Sequence, residues 1–116
     1  MSQDILKELY RILQERKKAE PDKSYVSSLY NKGIEKMIEK LAEETKETVD
    51  EARKLSGNAQ DQSTRTALIG EATDLTFHLL VLLAHYDIPP EEILIELERR
   101  FGTGGHEEKA ARNNKQ

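Results

Sequence analysis

The sequence predicts an all-α fold, and three observations predict it. Hydrophobic residues make up 36% of the chain and charged residues 34%, a balance that suits amphipathic helices with solvated outer faces. Four Tyr and two Phe are the whole aromatic complement, and Leu, Ile, Ala, Glu and Lys dominate, so strands have little to build from. Apolar residues recur at helical spacing wherever the chain is not interrupted by Pro, Gly or a polar cluster. The expectation is four main helices plus one short helix, packed as a helical bundle.

The first helix runs from Ser2 to about Lys18, with Ile5, Leu6, Leu9, Ile12 and Leu13 on one face. Arg16, Lys17 and Lys18 close it with the charge its dipole favours. Glu20 to Lys23 is a turn, because Pro21 has no N–H and biases Glu20 away from helix. Ser24 then caps a short helix over SYVSSLY, and Gly33 is its natural stop. The serine and tyrosine side chains there suit either phosphate binding or local capping.

Ile34 to about Ser56 is the second long helix, its apolar stripe running through Met37, Ile38, Leu41, Val49 and Leu55. Lys40, Glu44, Glu47 and Glu51 line the edge of that stripe, within about 60° of one another on a helical wheel. Glu43 projects away from it. Residues 57–63, GNAQDQS, read as a loop short enough to make an antiparallel pair of the helices it joins. The third long helix spans Thr66 to Tyr86 and ends near Asp87. Pro89 and Pro90 open a last helix to about Phe101, acidic at its start and basic at its end. Residues 102–116 carry no sizeable apolar side chain and are expected to be a flexible polar tail.

Composition narrows the function. The length suits one domain, and the formal net charge of −4 argues against a nucleic-acid partner. The absence of cysteine removes disulfides and thiolate chemistry and suits a cytoplasmic location. The N-terminus lacks the basic and apolar regions of an export signal. The longest uninterrupted apolar run, Leu79 to Ala84, falls far short of the roughly 20 residues of a membrane span, so no membrane association is expected.

One conflict stands out. The third long helix should be buried, yet it carries Glu71 and Asp74, roughly 60° apart, with His78 between them two turns on. No Lys or Arg occurs from Thr66 to Pro90, so a countercharge must come from another segment, another subunit or a metal ion. E-x-x-E at Glu44 and Glu47 and E-x-x-D at Glu71 and Asp74 lie on adjacent helices, where antiparallel packing can bring four carboxylates to one point. Mg²⁺, or Mn²⁺, would relieve their repulsion through oxygen ligands. The alternative is pairing with basic side chains, Lys40 with Glu44 among them. A di-iron bundle needs Glu-x-x-His, and the residues three before His78 and His85 are Leu75 and Leu82. His78 itself suits a hydrogen-bond partner of Asp74, a substrate contact or a core histidine.

The stretches SYVSSLYNKG, EKMIEKLAEETKETV and GEATDLTFHLLVLLAHYDIPPEEILIELERR closely resemble the phosphoribosyl-ATP pyrophosphohydrolase family of histidine biosynthesis. That family belongs to the MazG-type all-α nucleotide pyrophosphohydrolases. The resemblance covers roughly residues 5–101, and makes residues 1–101 a nucleotide pyrophosphohydrolase domain. It implies hydrolysis of phosphoribosyl-ATP to phosphoribosyl-AMP and pyrophosphate, with magnesium, by a helical homodimer or higher homo-oligomer. Glu44, Glu47, Glu71 and Asp74 match the metal-ligand motif, which implies that they form the catalytic centre. Lys40 matches the lysine before it, Ser24 and Tyr25 the serine-tyrosine segment, and Arg99 and Arg100 the arginines closing the last helix; with His78 these are the expected substrate contacts. Ala42 and Thr76 depart from the family's usual glycine and aromatic residue without removing a ligand. Two rivals remain: a house-cleaning nucleoside triphosphate pyrophosphatase, and a non-catalytic dimerisation module whose acids form salt bridges.

Overall fold

The computed structural model describes residues 2–102, with side chains from residue 5 onward. Its helices are α1 (Ser2–Lys17), α2 (Tyr25–Lys32), α3 (Ile34–Gly57), α4 (Gln62–His85) and α5 (Pro90–Phe101), with a 3-10 turn at Pro21–Lys23 before α2. No strand occurs among the described residues. The chain is all-α, with four main helices and one short one. The expected tail lies, from residue 103, outside the described residues.

Local chemistry sets the joints. Ser24 caps α2 as its sequence position predicts, its hydroxyl accepting from the Ser27 N–H at 3.0 Å. Gly33 both ends α2 and begins α3. Its φ of 97° belongs to glycine, its N–H bonds back to the Leu29 and Tyr30 carbonyls, and its own carbonyl accepts from Lys36 and Met37. α4 begins at Gln62, earlier than the expected loop allows. Asp61 is the reason: its carboxylate accepts from the Thr64 N–H at 3.1 Å, so polar residues that read as loop become the first helical turn.

The loop of residues 58–61 folds α4 back along α3, and these two helices share the most extensive contact in the fold. α1 and α2 pack over one end of this hairpin. There Leu13, Leu29, Met37, Val81 and Ala84 form a closed core, ringed by Leu9, Tyr10, Val26, Ile34 and Phe77 among others. Tyr30 reaches through it to donate to the Val81 carbonyl at 2.8 Å, and burial pushes its phenol well above the ordinary range. The C-terminus of α4 is closed by α1. Gln14 and Lys17 both donate to the Ala84 carbonyl, at 3.1 and 2.9 Å, and Lys17 pairs with Asp87 at 2.8 Å. α5 packs on α1.

Two sequence expectations meet a difference here. The apolar stripe of α3 and the apolar helix α4 are only partly covered within one chain, and Ile38, Val49, Ile69 and Leu79 remain exposed. The short α1 and α2 reach only part of a hairpin whose arms are 24 residues each. Taken whole, α4 is also long and apolar enough to cross a membrane by length and composition, which counting its uninterrupted apolar run did not reveal. It carries Glu71 and Asp74 on one side, and Glu71 meets Glu44 and Glu47 of α3 there.

Candidate active site

The α3–α4 hairpin brings the predicted acids together. One carboxylate oxygen from each of Glu44, Glu47 and Glu71 lies within 4.8 Å of the other two. Glu44 is buried, at 8% exposure, Glu71 is half-buried and Glu47 is open to solvent. Asp74, one turn along α4, is exposed and stands outside this close triad, near enough for its charge to act on both Glu44 and Glu71. Glu43 is exposed and stays out of the triad, so the helical wheel separates the adjacent acids of EETKE correctly.

The electrostatics are those of a site short of positive charge. Glu44 Oε2 and Glu71 Oε1 are both cut off from solvent with no hydrogen-bond donor. Ionised carboxylates only accept, so this cluster can bond internally only by keeping a proton. Glu71 is accordingly pushed up to about 7, first by the hydrogen bond with Glu47, then by burial and the charges of Glu47, Glu44 and Asp74. Glu44 is raised as well, first by burial and then by the charges of Glu47 and Asp74.

Lys40 forms its ion pair outside the cluster. Its ammonium pairs with Glu43 at 2.8 Å, which raises the lysine and lowers the acid. The pairing with Glu44 that helical spacing also permits is not made. Glu51 pairs with Lys54 at 3.2 Å, away from the triad. The donor set fits a hard divalent cation: three clustered carboxylates, two orphaned buried oxygens, and no histidine in the group.

Besides Lys40, the expected substrate contacts divide into three groups. Tyr25 and His78 lie beside the acids and bond to each other, Tyr25 Oη to His78 Nε2 at 2.8 Å. Ser24 caps α2, and its hydroxyl also meets that of Ser27 at 3.0 Å. Arg99 and Arg100 sit on α5, where both bind Glu96, at 2.7 and 2.8 Å, and hold its carboxyl down at about 2. The Tyr25–His78 bond and the Lys40–Glu43 pair were not anticipated. The second has a sequence signal, the i to i+3 spacing; the first has only the placement of His78 four residues after Asp74.

A helical hairpin that gathers carboxylates from both arms, closed at one end by two further helices, defines the class: an all-α protein with an acid cluster between paired helices. The family model of phosphoribosyl-ATP pyrophosphohydrolase matches residues 6–101, and the chain belongs to that family. It is 46% identical over 110 residues to the phosphoribosyl-ATP pyrophosphatase of Geobacter sulfurreducens, covering 95% of this chain and 94% of that protein. To the protein of the same name from Geobacter metallireducens it is 50% identical over 109 residues, covering 94% and 93%.

Proposed function

We propose that this chain is a soluble enzyme that hydrolyses phosphoribosyl-ATP to phosphoribosyl-AMP and pyrophosphate, in the second step of histidine biosynthesis, with Mg²⁺ or Mn²⁺ held by Glu44, Glu47, Glu71 and Asp74. Relatives of this name, similar along nearly their whole length, support the reaction. The observation that supports the cation is the pair of buried, partnerless oxygens on Glu44 and Glu71. When bound, the cation supplies Lewis acidity at the phosphate oxygens and neutralises charge on the leaving pyrophosphate.

The chain's own residues do the rest. Water adds to phosphorus as the α–β phosphoanhydride bond breaks, and pyrophosphate leaves. One carboxylate of the cluster takes the water's proton, and the solvent exposure of Glu47 supports it in that role. Lys40 exchanges Glu43 for a substrate phosphate, and Tyr25 and Ser24 face the substrate from the start of α2.

The proposal extends to a homodimer, supported by the exposed apolar side chains of α3 and α4. Arg99 and Arg100 then reach substrate phosphates from the second subunit. A cytoplasmic setting completes it. Glu44→Gln and Asp74→Asn should each abolish pyrophosphate release from phosphoribosyl-ATP while circular dichroism still reports a helical fold. Wild-type turnover by either variant would remove the assignment.

A further inference from the structure

We propose that the ring of Tyr25 is the platform on which the substrate's purine base stacks, and that His78 is the positioning residue that holds the ring in place. The inference rests on the reaction proposed above. Its basis is a chain of two hydrogen bonds that crosses from α4 to α2. His78 Nδ1 lies 2.9 Å from the backbone carbonyl of Asp74. A carbonyl only accepts, so Nδ1 carries the hydrogen, and Nε2 of the neutral ring is left as an acceptor. The Tyr25 hydroxyl donates to it at 2.8 Å.

Both nitrogens of His78 are thus used within the chain, and the ring is only 7% exposed, wedged edge-on between Phe77 and Tyr25. That is the setting of a support. Tyr25 is the reverse: its hydroxyl is anchored, its backbone is fixed by the Ser24 cap, and the residue is still 52% exposed. An aromatic ring held by its polar end and half exposed loses little freedom when a planar ligand lands on it. Through His78 its hydroxyl is tied to the turn of α4 that carries Asp74, within reach of the charges of Lys40 and Glu44. The other exposed aromatics of the described residues lie elsewhere: Phe101 ends α5, and Tyr86 follows Asp74 by 12 residues, about 18 Å along the helix direction. A nucleotide with its phosphates at the acids and Lys40 therefore has Tyr25 as its aromatic neighbour.

The test uses the whole chain with saturating MgCl₂. Calorimetry compares binding of AMP with binding of ribose 5-phosphate, which lacks the base, and kinetics with phosphoribosyl-ATP give KM and kcat. Wild type should prefer AMP. Tyr25→Ala should cut that preference about ten- to hundredfold, the range of base–aromatic stacking, and act on KM more than on kcat. Tyr25→Phe keeps the ring but frees it, and should lose several-fold; His78→Asn should match it, and the double variant should fall no further. Full AMP preference in Tyr25→Ala, or no preference in wild type, overturns the platform. Losses that multiply in the double variant overturn the positioning role. If His78→Asn does not fold, Tyr25→Phe decides alone: unchanged AMP affinity there overturns the anchor. A wild type that binds AMP but releases no pyrophosphate from phosphoribosyl-ATP sinks the reaction and not the platform.

Discussion

Filling the acid cluster with a divalent cation must expel the proton that its carboxylates share. Metal ligation requires ionised oxygens, so binding competes with protonation of Glu71, which sits at about 7. At pH 6 such a group is about 90% protonated and at pH 8 about 10%, so the proton count per bound ion falls from about 0.9 to about 0.1. The same competition makes apparent affinity rise about tenfold between those pH values. Titrating MnCl₂ or MgCl₂ by calorimetry in buffers of different ionisation heat reads the proton count directly. The metal-free protein should show the matching stability trend. Glu71 is raised above its ordinary value of 4.5 in the folded state, so its contribution is full below about 4.5 and is lost as pH rises through about 7. Melting temperature without metal should therefore fall from pH 5 to pH 8, and saturating Mg²⁺ should offset the fall. A pH-independent affinity with no proton released at pH 6 would refute the reasoning.

Two further predictions concern the scaffold. Met37→Ala removes a side chain 1% exposed at the meeting point of four helices and should cost about 2–5 kcal/mol in chemical denaturation; a loss below about 1 kcal/mol would contradict the packing described. Lys17→Met deletes a donor to the Ala84 carbonyl and should cost about 1 kcal/mol for that bond, with Gln14 keeping the carbonyl from being orphaned. The pairing of Lys17 with Asp87 adds a pH signature. Lys17 holds the Asp87 carboxyl below its ordinary range, so this part of the stability is present above about 4 and lost as pH falls further, and it should shrink in Lys17→Met, where the weaker bond from Gln14 remains.

Much of this was legible in the sequence because helical periodicity is local. It placed Glu44 toward the core and Glu43 outward, and it assigned Ser24 and Gly33 their cap and joint. Where the reading slipped, the deciding interaction was one that spacing leaves degenerate. Lys40 reaches either Glu43 at i+3 or Glu44 at i+4, and burial of Glu44 against α4 decides between them. Gln62 and Ser63 are indifferent residues that become helical once Asp61 caps the turn. The Tyr25–His78 bond joins residues 53 apart and has no local signature. The uncovered apolar faces of α3 and α4 could not be read either, because periodicity says which face is apolar and not what covers it.

The central claim is that the acid cluster serves one substrate. The most direct test measures pyrophosphate release, with Mg²⁺, from phosphoribosyl-ATP and from a panel of deoxynucleoside triphosphates under identical conditions. Rapid release from phosphoribosyl-ATP alone, absent in Glu44→Gln, is the predicted result. Faster release from the deoxynucleotides would contradict it in favour of a house-cleaning pyrophosphatase, and no release from any of them would leave the acids as a structural feature of a helical dimer.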